Sequence, residues 1–246
     1  MNTLYHIGIN TDLGAEYAIL PGDPGRTKII ASYLNNPKFI NSNREYTTYC
    51  GELNNKKVIV MSTGIGGPST AIAVEELYMA GVRTFVRTGT CGGMQQNVQK
   101  GDVVIATAAV RMEGTSKEYV PIEYPAVADF KVTNALVNSA KHTNYKYHIG
   151  VVQSKDSFYG QHCPQRMPIG RQLENNWDAW IKAGCLASEM ECAALFTVSG
   201  VLKASAGAVL SVVWNQQKDK TGNTQTVNAE NAIEIAVDAV KSLIED

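Results

Sequence analysis

The sequence has no apolar run approaching the roughly 18 residues of a membrane span, no Cys-x-x-Cys pair and almost no net charge. Each absence removes a class of function. Without an apolar run, no membrane partner is expected. The five cysteines, Cys50, Cys91, Cys163, Cys185 and Cys192, are odd in number and scattered, which reads as reduced thiols rather than a disulfide framework or a zinc site. Met1-Asn2-Thr3-Leu4-Tyr5-His6 has no basic stretch leading into an apolar one, so no signal peptide is expected and the location read from the sequence is cytoplasmic. Lys and Arg (22) nearly balance Asp and Glu (23), so no overall field recruits nucleic acid. An anionic ligand has to be captured by a few local cations.

What remains is an ordinary enzyme composition: 44% hydrophobic and 18% charged in 246 residues, enough to bury a core without metals or disulfides. Apolar or β-branched runs at Tyr17–Leu20, Val58–Ser62, Thr84–Arg87, Asp102–Thr107, Tyr147–Gln153 and Ala206–Val213 alternate with helical patterns at Ser69–Met79, Ala128–Ala140 and Ala229–Ile244. That alternation predicts an α/β fold, a central mixed and largely parallel sheet flanked by helices. No repeat or linker-like tract interrupts it, so residues 1–246 read as one domain.

Glycine is concentrated in Pro21-Gly22-Asp23-Pro24-Gly25-Arg26, Thr63-Gly64-Ile65-Gly66-Gly67-Pro68-Ser69 and Arg87-Thr88-Gly89-Thr90-Cys91-Gly92-Gly93. All three stretches fall where strands are expected to end, at the edge where open α/β sheets bind ligands. Glycine lets backbone N–H groups approach an anion, and a following helix adds its positive end. None of the three spells the dinucleotide or P-loop fingerprint, so neither a dinucleotide cofactor nor ATP is expected. Arg26, Arg44 and Arg87 accompany the loops, and guanidinium forks match phosphate oxygens. Arg87 follows the apolar Thr84-Phe85-Val86 and is expected to be partly buried, where a guanidinium wants an anionic partner.

Taken in order, Pro21-Gly22-Asp23-Pro24-x-Arg26, Arg44-Glu45, Ser62 to Ser69, Arg87-Thr88-Gly89-Thr90 and Glu189-Met190-Glu191 resemble the hexameric nucleoside phosphorylases over nearly the whole chain, and their uridine-cleaving branch most closely. The resemblance implies the nucleoside phosphorylase fold and a pentosyltransferase of pyrimidine salvage. Its reaction would be reversible phosphorolysis of uridine, and of deoxyuridine, to uracil and (deoxy)ribose 1-phosphate. It implies inorganic phosphate as co-substrate, no cofactor for the chemistry, and a homohexamer built as a trimer of dimers. By the same resemblance, Gly22, Arg26, Arg87 and Thr90 hold phosphate, with Arg44 reaching in from a neighbouring subunit. His6 is lent to the neighbour's ribose, while Met190, Glu191 and Thr90 hold the chain's own. Phe158, Gln161, Arg166 and Gly92 face the base, and Arg87, Arg166 and Gln161 carry the catalysis. Gln165 is the alternative to Gln161, and Trp214 stands where relatives place a second base-side arginine. Glu45, Ile65 and Ser69 match the positions that hold a potassium ion in some members.

From the residues themselves, two carboxylates two apart on a helix point to different sides, so Glu189 and Glu191 are not expected to act as a glycosidase pair. The chain has no Ser-Asp dipeptide, the pair that protonates purine N7 in the purine branch, and this favours a pyrimidine. The alternatives are a purine nucleoside phosphorylase with an altered acid, a nucleosidase that uses water, and a non-catalytic nucleoside-binding protein.

Overall fold

The computed structural model describes residues 3–218 and 229–245; Met1 and Asn2 of the N-terminal stretch read above lie outside them. The strands are β1 (Tyr17–Pro21), β2 (Asn35–Asn43), β3 (Tyr46–Leu53), β4 (Lys56–Met61), β5 (Thr84–Gly93), β6 (Val103–Met112), β7 (Ala126–Val127), β8 (Tyr147–Lys155), β9 (Ala187–Glu189) and β10 (Ser205–Asn215). The helices are α1 (Pro24–Ala31), α2 (Gly67–Met79), α3 (Thr115–Tyr119), α4 (Phe130–Lys141), α5 (Phe158–His162), α6 (Gly170–Lys182), α7 (Cys192–Val201) and α8 (Glu230–Glu245), with a 3-10 turn at Pro164–Arg166.

One mixed sheet runs through these strands. Strand β5 pairs in parallel with β1 on one side and β10 on the other. Strand β10 continues to β6, β6 to β8 and β8 to β9, and β9 returns to β5 at Gly92 and Gly93, so this half closes into a ring. On the far side of β1, β4 leads into the antiparallel β3 and β2. Parallel pairing is thus concentrated in the strands nearest the glycine loops, and the outer strands are antiparallel.

Alternation along the strands sorts side chains into two buried layers. Ala18, Leu20, Ile59, Met61 and Phe85 pack with α2 and α7. Ile19, Val58, Val60 and Val86 pack with α4 and α8. A sheet covered on both faces explains why these strands read as continuous apolar runs rather than alternating ones. Helix α7 is buried along nearly its whole length, whereas β2 is polar, mostly exposed and carries Pro37, as an edge strand tolerates.

Candidate active site

Strands β1 and β4 run parallel beside each other, so the loops that leave them emerge together. The two loops are zipped by the main chain: Thr63 N–H donates to the Pro21 carbonyl and Gly64 N–H to the Gly22 carbonyl, both at 2.9 Å. After the first loop, Asp23 caps α1 by accepting the Gly25 N–H at 2.8 Å. After the second, Gly66 takes φ 98°, a left-handed conformation open to glycine, and α2 begins at Gly67. The third glycine stretch is not a turn. Gly89, Gly92 and Gly93 continue β5, and at Gly89 a Cβ would stand 3.0 Å from the Arg87 guanidinium. Glycine there lets the arginine fold back along its own strand.

Together these elements enclose a cavity of about 630 Å³, within the usual size for a small-molecule site. By contact the lining has two groups, Gly22 and Arg26 about Arg87 at one end and Phe158 and Trp214 about His162 at the other, and Thr90, Gly92, Gln161, Met190 and Glu191 complete it. The expected residues of the chain's own site therefore converge, with one exception discussed below.

Arg87 is 4% exposed in the interior of β5. Its Nη2 donates to Glu191 Oε2, and Nε lies 4.0 Å from Glu189 Oε2. Burial lowers the guanidinium pKa, but Glu191 and then Glu189 outweigh it and leave the group above its usual value. Arg87 therefore stays charged. Nε and Nη1 find no hydrogen-bond partner among the described residues, and Gly22 is the neighbour whose added Cβ would lie 4.0 Å from Nη1. Buried donors left unpaired cost about 1–3 kcal/mol each, a cost that an anion held against Gly22 would remove. Arg26, a cation on α1, is lowered by burial and by Arg87 against the pull of Asp23. Two cations that repel each other across one end of a cavity mark a place for an anion.

The two carboxylates of Glu189-Met190-Glu191 do not diverge. Glu189 ends β9 and Glu191 precedes α7, so helical spacing does not apply, and both acids flank Arg87. Their duties differ. Glu189 accepts the N–H groups of Glu191 and Cys192 at 2.8 and 2.9 Å, capping α7, and also the Ser154 hydroxyl. Glu191 accepts the Gly66 N–H at 2.7 Å and lines the cavity, where adjacent sugar hydroxyls would meet it. Burial raises its carboxyl, opposed by Arg87 and the Gly66 N–H.

At the far end, the His162 ring sits between Phe158 and Trp214, with centroids 4.2 and 5.0 Å away. Burial and the nearby Lys155 push the His162 pKa down to about 4, so this ring is neutral. The amide of Gln161 meets Ser188 Oγ at 2.7 Å and donates to Gln216 at 3.3 Å. Gln165 is exposed and lines a neighbouring cavity instead. Arg166 is the exception and corrects the expectation for it. It closes the exposed 3-10 turn Pro164–Arg166 and lines neither cavity. Lys155 stands at this end in its place: it is 5% exposed, ends β8 and donates to Ser188 Oγ at 2.6 Å.

His6 and Arg44 are absent from the lining. They also lie near each other. The main-chain N–H of His6 donates to Glu76, its Nδ1 lies 2.6 Å from the same carboxylate, and Asn43 donates to the His6 carbonyl at 2.7 Å. Arg44 follows Asn43 at the tip of the β2–β3 turn, exposed and at φ 54°. Glu45, Ile65 and Ser69 are likewise neighbours. The Ser69 hydroxyl donates to the Ile65 carbonyl at 3.3 Å, and a Cβ on Gly64 would meet Glu45 Cγ at 2.8 Å. These are hard oxygen donors of the kind a potassium ion takes.

Comparison with known proteins agrees with this geometry. The model of the phosphorylase superfamily matches residues 16–246. A uridine phosphorylase of Treponema pallidum is 53% identical over 98% of this chain and 94% of its own length. A uridine phosphorylase of Escherichia coli is 42% identical over 98% of both chains. A guanosine phosphorylase of Halorubrum lacusprofundi is 39% identical over 93% of this chain and 94% of its own. With glycine loops, a buried arginine and a buried carboxylate in one cavity, and relatives aligned over nearly their whole length, the chain belongs to the phosphorylase superfamily.

Proposed function

We propose that the protein is a uridine phosphorylase, converting uridine and deoxyuridine with inorganic phosphate to uracil and (deoxy)ribose 1-phosphate. The observation that carries this reading is the polarity of the one cavity. Unpaired guanidinium donors of Arg87 face the Gly22 loop, Glu191 lies beside them, and the aromatic rings of Phe158, His162 and Trp214 with the Gln161 amide and the Lys155 ammonium complete the lining. Phosphate held by Arg26, Arg87, Thr90 and Gly22 would lie beneath the sugar, balancing the positive charge that grows at C1′ as the glycosidic bond stretches. Glu191 and Met190 would fix the ribose, and Phe158 and Gln161 would orient the base. A purine needs a proton at N7, and the chain has no Ser-Asp pair of the purine branch to give one.

The reading extends to assembly. His6 and Arg44, held together and outside the chain's own cavity, would complete the cavity of a second copy, so the working unit is a dimer within a hexamer. Potassium would be held between copies by Glu45, Ile65 and Ser69. Residues 1–246 form one catalytic domain, since a single sheet supplies both ends of the site. Among the described residues no helix is long and apolar enough to cross a membrane.

The test is uracil release from uridine with and without phosphate, followed by absorbance, with inosine and guanosine as controls. Phosphate-dependent cleavage of uridine alone is expected. Cleavage without phosphate would make the protein a nucleosidase. Preferential cleavage of guanosine would place it with the purine-cleaving relatives, and binding without turnover would make it a nucleoside sensor.

A further inference from the structure

Phosphorolysis leaves uracil holding the electron pair of the broken C1′–N1 bond, and that charge spreads onto the ring carbonyl oxygens. Something at the base end has to stabilise it. Arg166 is outside the cavity and Trp214 carries no charge. Among the described residues the cation at this end is Lys155, at the carboxyl end of β8. It lines both the substrate cavity and the adjoining cavity of about 730 Å³, so it stands in the wall they share with Gln161, His162 and Trp214.

An ammonium group has three N–H donors. Among the described residues, the hydrogen-bond partner of Lys155 is the Ser188 hydroxyl, at 2.6 Å. Ser188 in turn lies 2.6 Å from Gln153 Oε1 and 2.7 Å from Gln161 Oε1. A hydroxyl has one proton, so Ser188 serves one of these amides at a time. Gln161 can then turn to the base without stranding Ser188, because Gln153 takes its proton. Lys155 keeps its anchor and still has donors to spare.

We propose that Lys155 is a catalytic residue of the leaving-group end, its ammonium donating a hydrogen bond to a carbonyl oxygen of the departing uracil while Ser188 and Gln153 hold it in place. The C1′–N1 bond breaks with both electrons passing to the base, and a bond from C1′ to a phosphate oxygen forms. No proton changes hands, and Lys155 stays an ammonium throughout. This inference rests on the uridine reading above.

The groups facing Lys155 agree with the role. Glu189 at the end of β9 and Glu191 before α7 favour its charge, while the Cys91 thiol on β5 is raised by burial and the His162 ring on α5 is neutral. Burial nevertheless lowers the ammonium to about 8. The protonated form is the one that donates, so turnover should be full below that pH and fall as pH rises through it.

The experiment compares wild type, Lys155→Met and Lys155→Arg on uridine and on 5-fluorouridine, whose base leaves more readily. Lys155→Met should lower kcat on uridine by about 10²–10³-fold, the usual effect of removing one such donor, with phosphate KM little changed. The loss should be clearly smaller on 5-fluorouridine. Lys155→Arg should restore part of kcat and move the alkaline fall upward. An equal loss on both nucleosides, or a kcat within about threefold of wild type, would overturn the assignment, since neither fits transition-state charge stabilisation by this group. If Lys155→Met does not fold, the alkaline limb decides: a limb absent from wild type, or unmoved in Lys155→Arg, overturns it. Wild type that fails to cleave uridine with phosphate would sink the functional reading itself, a result distinct from any of these.

Discussion

At the end proposed for phosphate, two glycine loops are tied backbone to backbone, and the side chains of Arg26 and Arg87 enter from α1 and β5. Gly22 and Gly64 are zipped by main-chain bonds, and Arg26 lies four residues after Gly22. At the base end, recognition is built from side chains on separate elements: Lys155 on β8, Gln161 and His162 on α5, Ser188 on β9 and Trp214 on β10. The first construction is rigid, because changing it means changing the path of the chain. The second can be re-sorted one side chain at a time. On the function proposed above, phosphate belongs to the rigid half, and the base, which differs between relatives named for uridine and for guanosine, to the adjustable half.

The comparison breaks most visibly at Arg87. Arg87→Met leaves Glu191 buried without its partner and takes the phosphate donors away. Activity should fall by about 10³-fold or more, and removing one member of a buried pair should cost about 3–5 kcal/mol of stability. Steady-state kinetics and chemical denaturation measure the two losses. Near-normal kcat/KM would mean that phosphate is held elsewhere. Gly22→Ala is milder. Its Cβ would stand 3.2 Å from the Gly64 carbonyl and 3.8 Å from Arg87 Nη2, inside the space an anion needs. Phosphate KM should rise by about 10- to 100-fold, as for an ångström-scale misplacement, with uridine KM little altered. Parallel loss in both would show that the two ends are not separable.

The same contrast explains what could be read from the sequence. Apolar strands such as β1, β4 and β5 were legible because they are buried on both faces, and the amphipathic α4 and α8 because they are buried on one. Strand β2, Asn-Asn-Pro-Lys-Phe-Ile-Asn-Ser-Asn, was not, since an edge strand needs no apolar face. Helix α7 was expected after Glu189-Met190-Glu191, but its bounds were not legible: buried all round, Cys192–Val201 has no periodicity to fix them. At the site, the glycine loops announced themselves as contiguous motifs. Lys155 did not, although the argument used for Arg87, a cation at the end of an apolar strand, applies to it equally. Ser188 and Gln153 carry no local signal, because their role exists only once β8 and β9 pair at Gln153 and Ser188.

A smaller effect is expected at Glu76, outside both ends. Its carboxylate accepts the N–H groups of His6 and Ile7 and meets the His6 ring, so it fixes the segment that would reach a neighbouring cavity. Glu76→Gln should lower stability by about 1–3 kcal/mol through weaker charge-assisted bonds. Uridine KM should rise while phosphate KM does not, because His6 and not Arg44 loses its support. Thermal unfolding together with the two KM values checks this. An unchanged uridine KM would mean that His6 does not reach ribose in any copy.

The smallest effect is also the sharpest test of how the base end is divided. Lys155 ends β8 and Arg166 lies in the segment between β8 and α6, and by motif alone Arg166 is the better base-side candidate. The structure separates them: one is exposed on a 3-10 turn, and the other is buried at the cavity wall. Arg166→Ala should therefore leave kcat, uridine KM and Tm near wild type, within the roughly ±0.5 kcal/mol typical of surface substitutions. Adding it to Lys155→Arg should change nothing further, because distant sites without shared partners add independently. A large loss in Arg166→Ala alone would mean that the turn swings inward when a base is bound. A loss appearing only in the double variant would mean that a displaced charge at Lys155 recruits Arg166, and that the two cations share the leaving group rather than divide it.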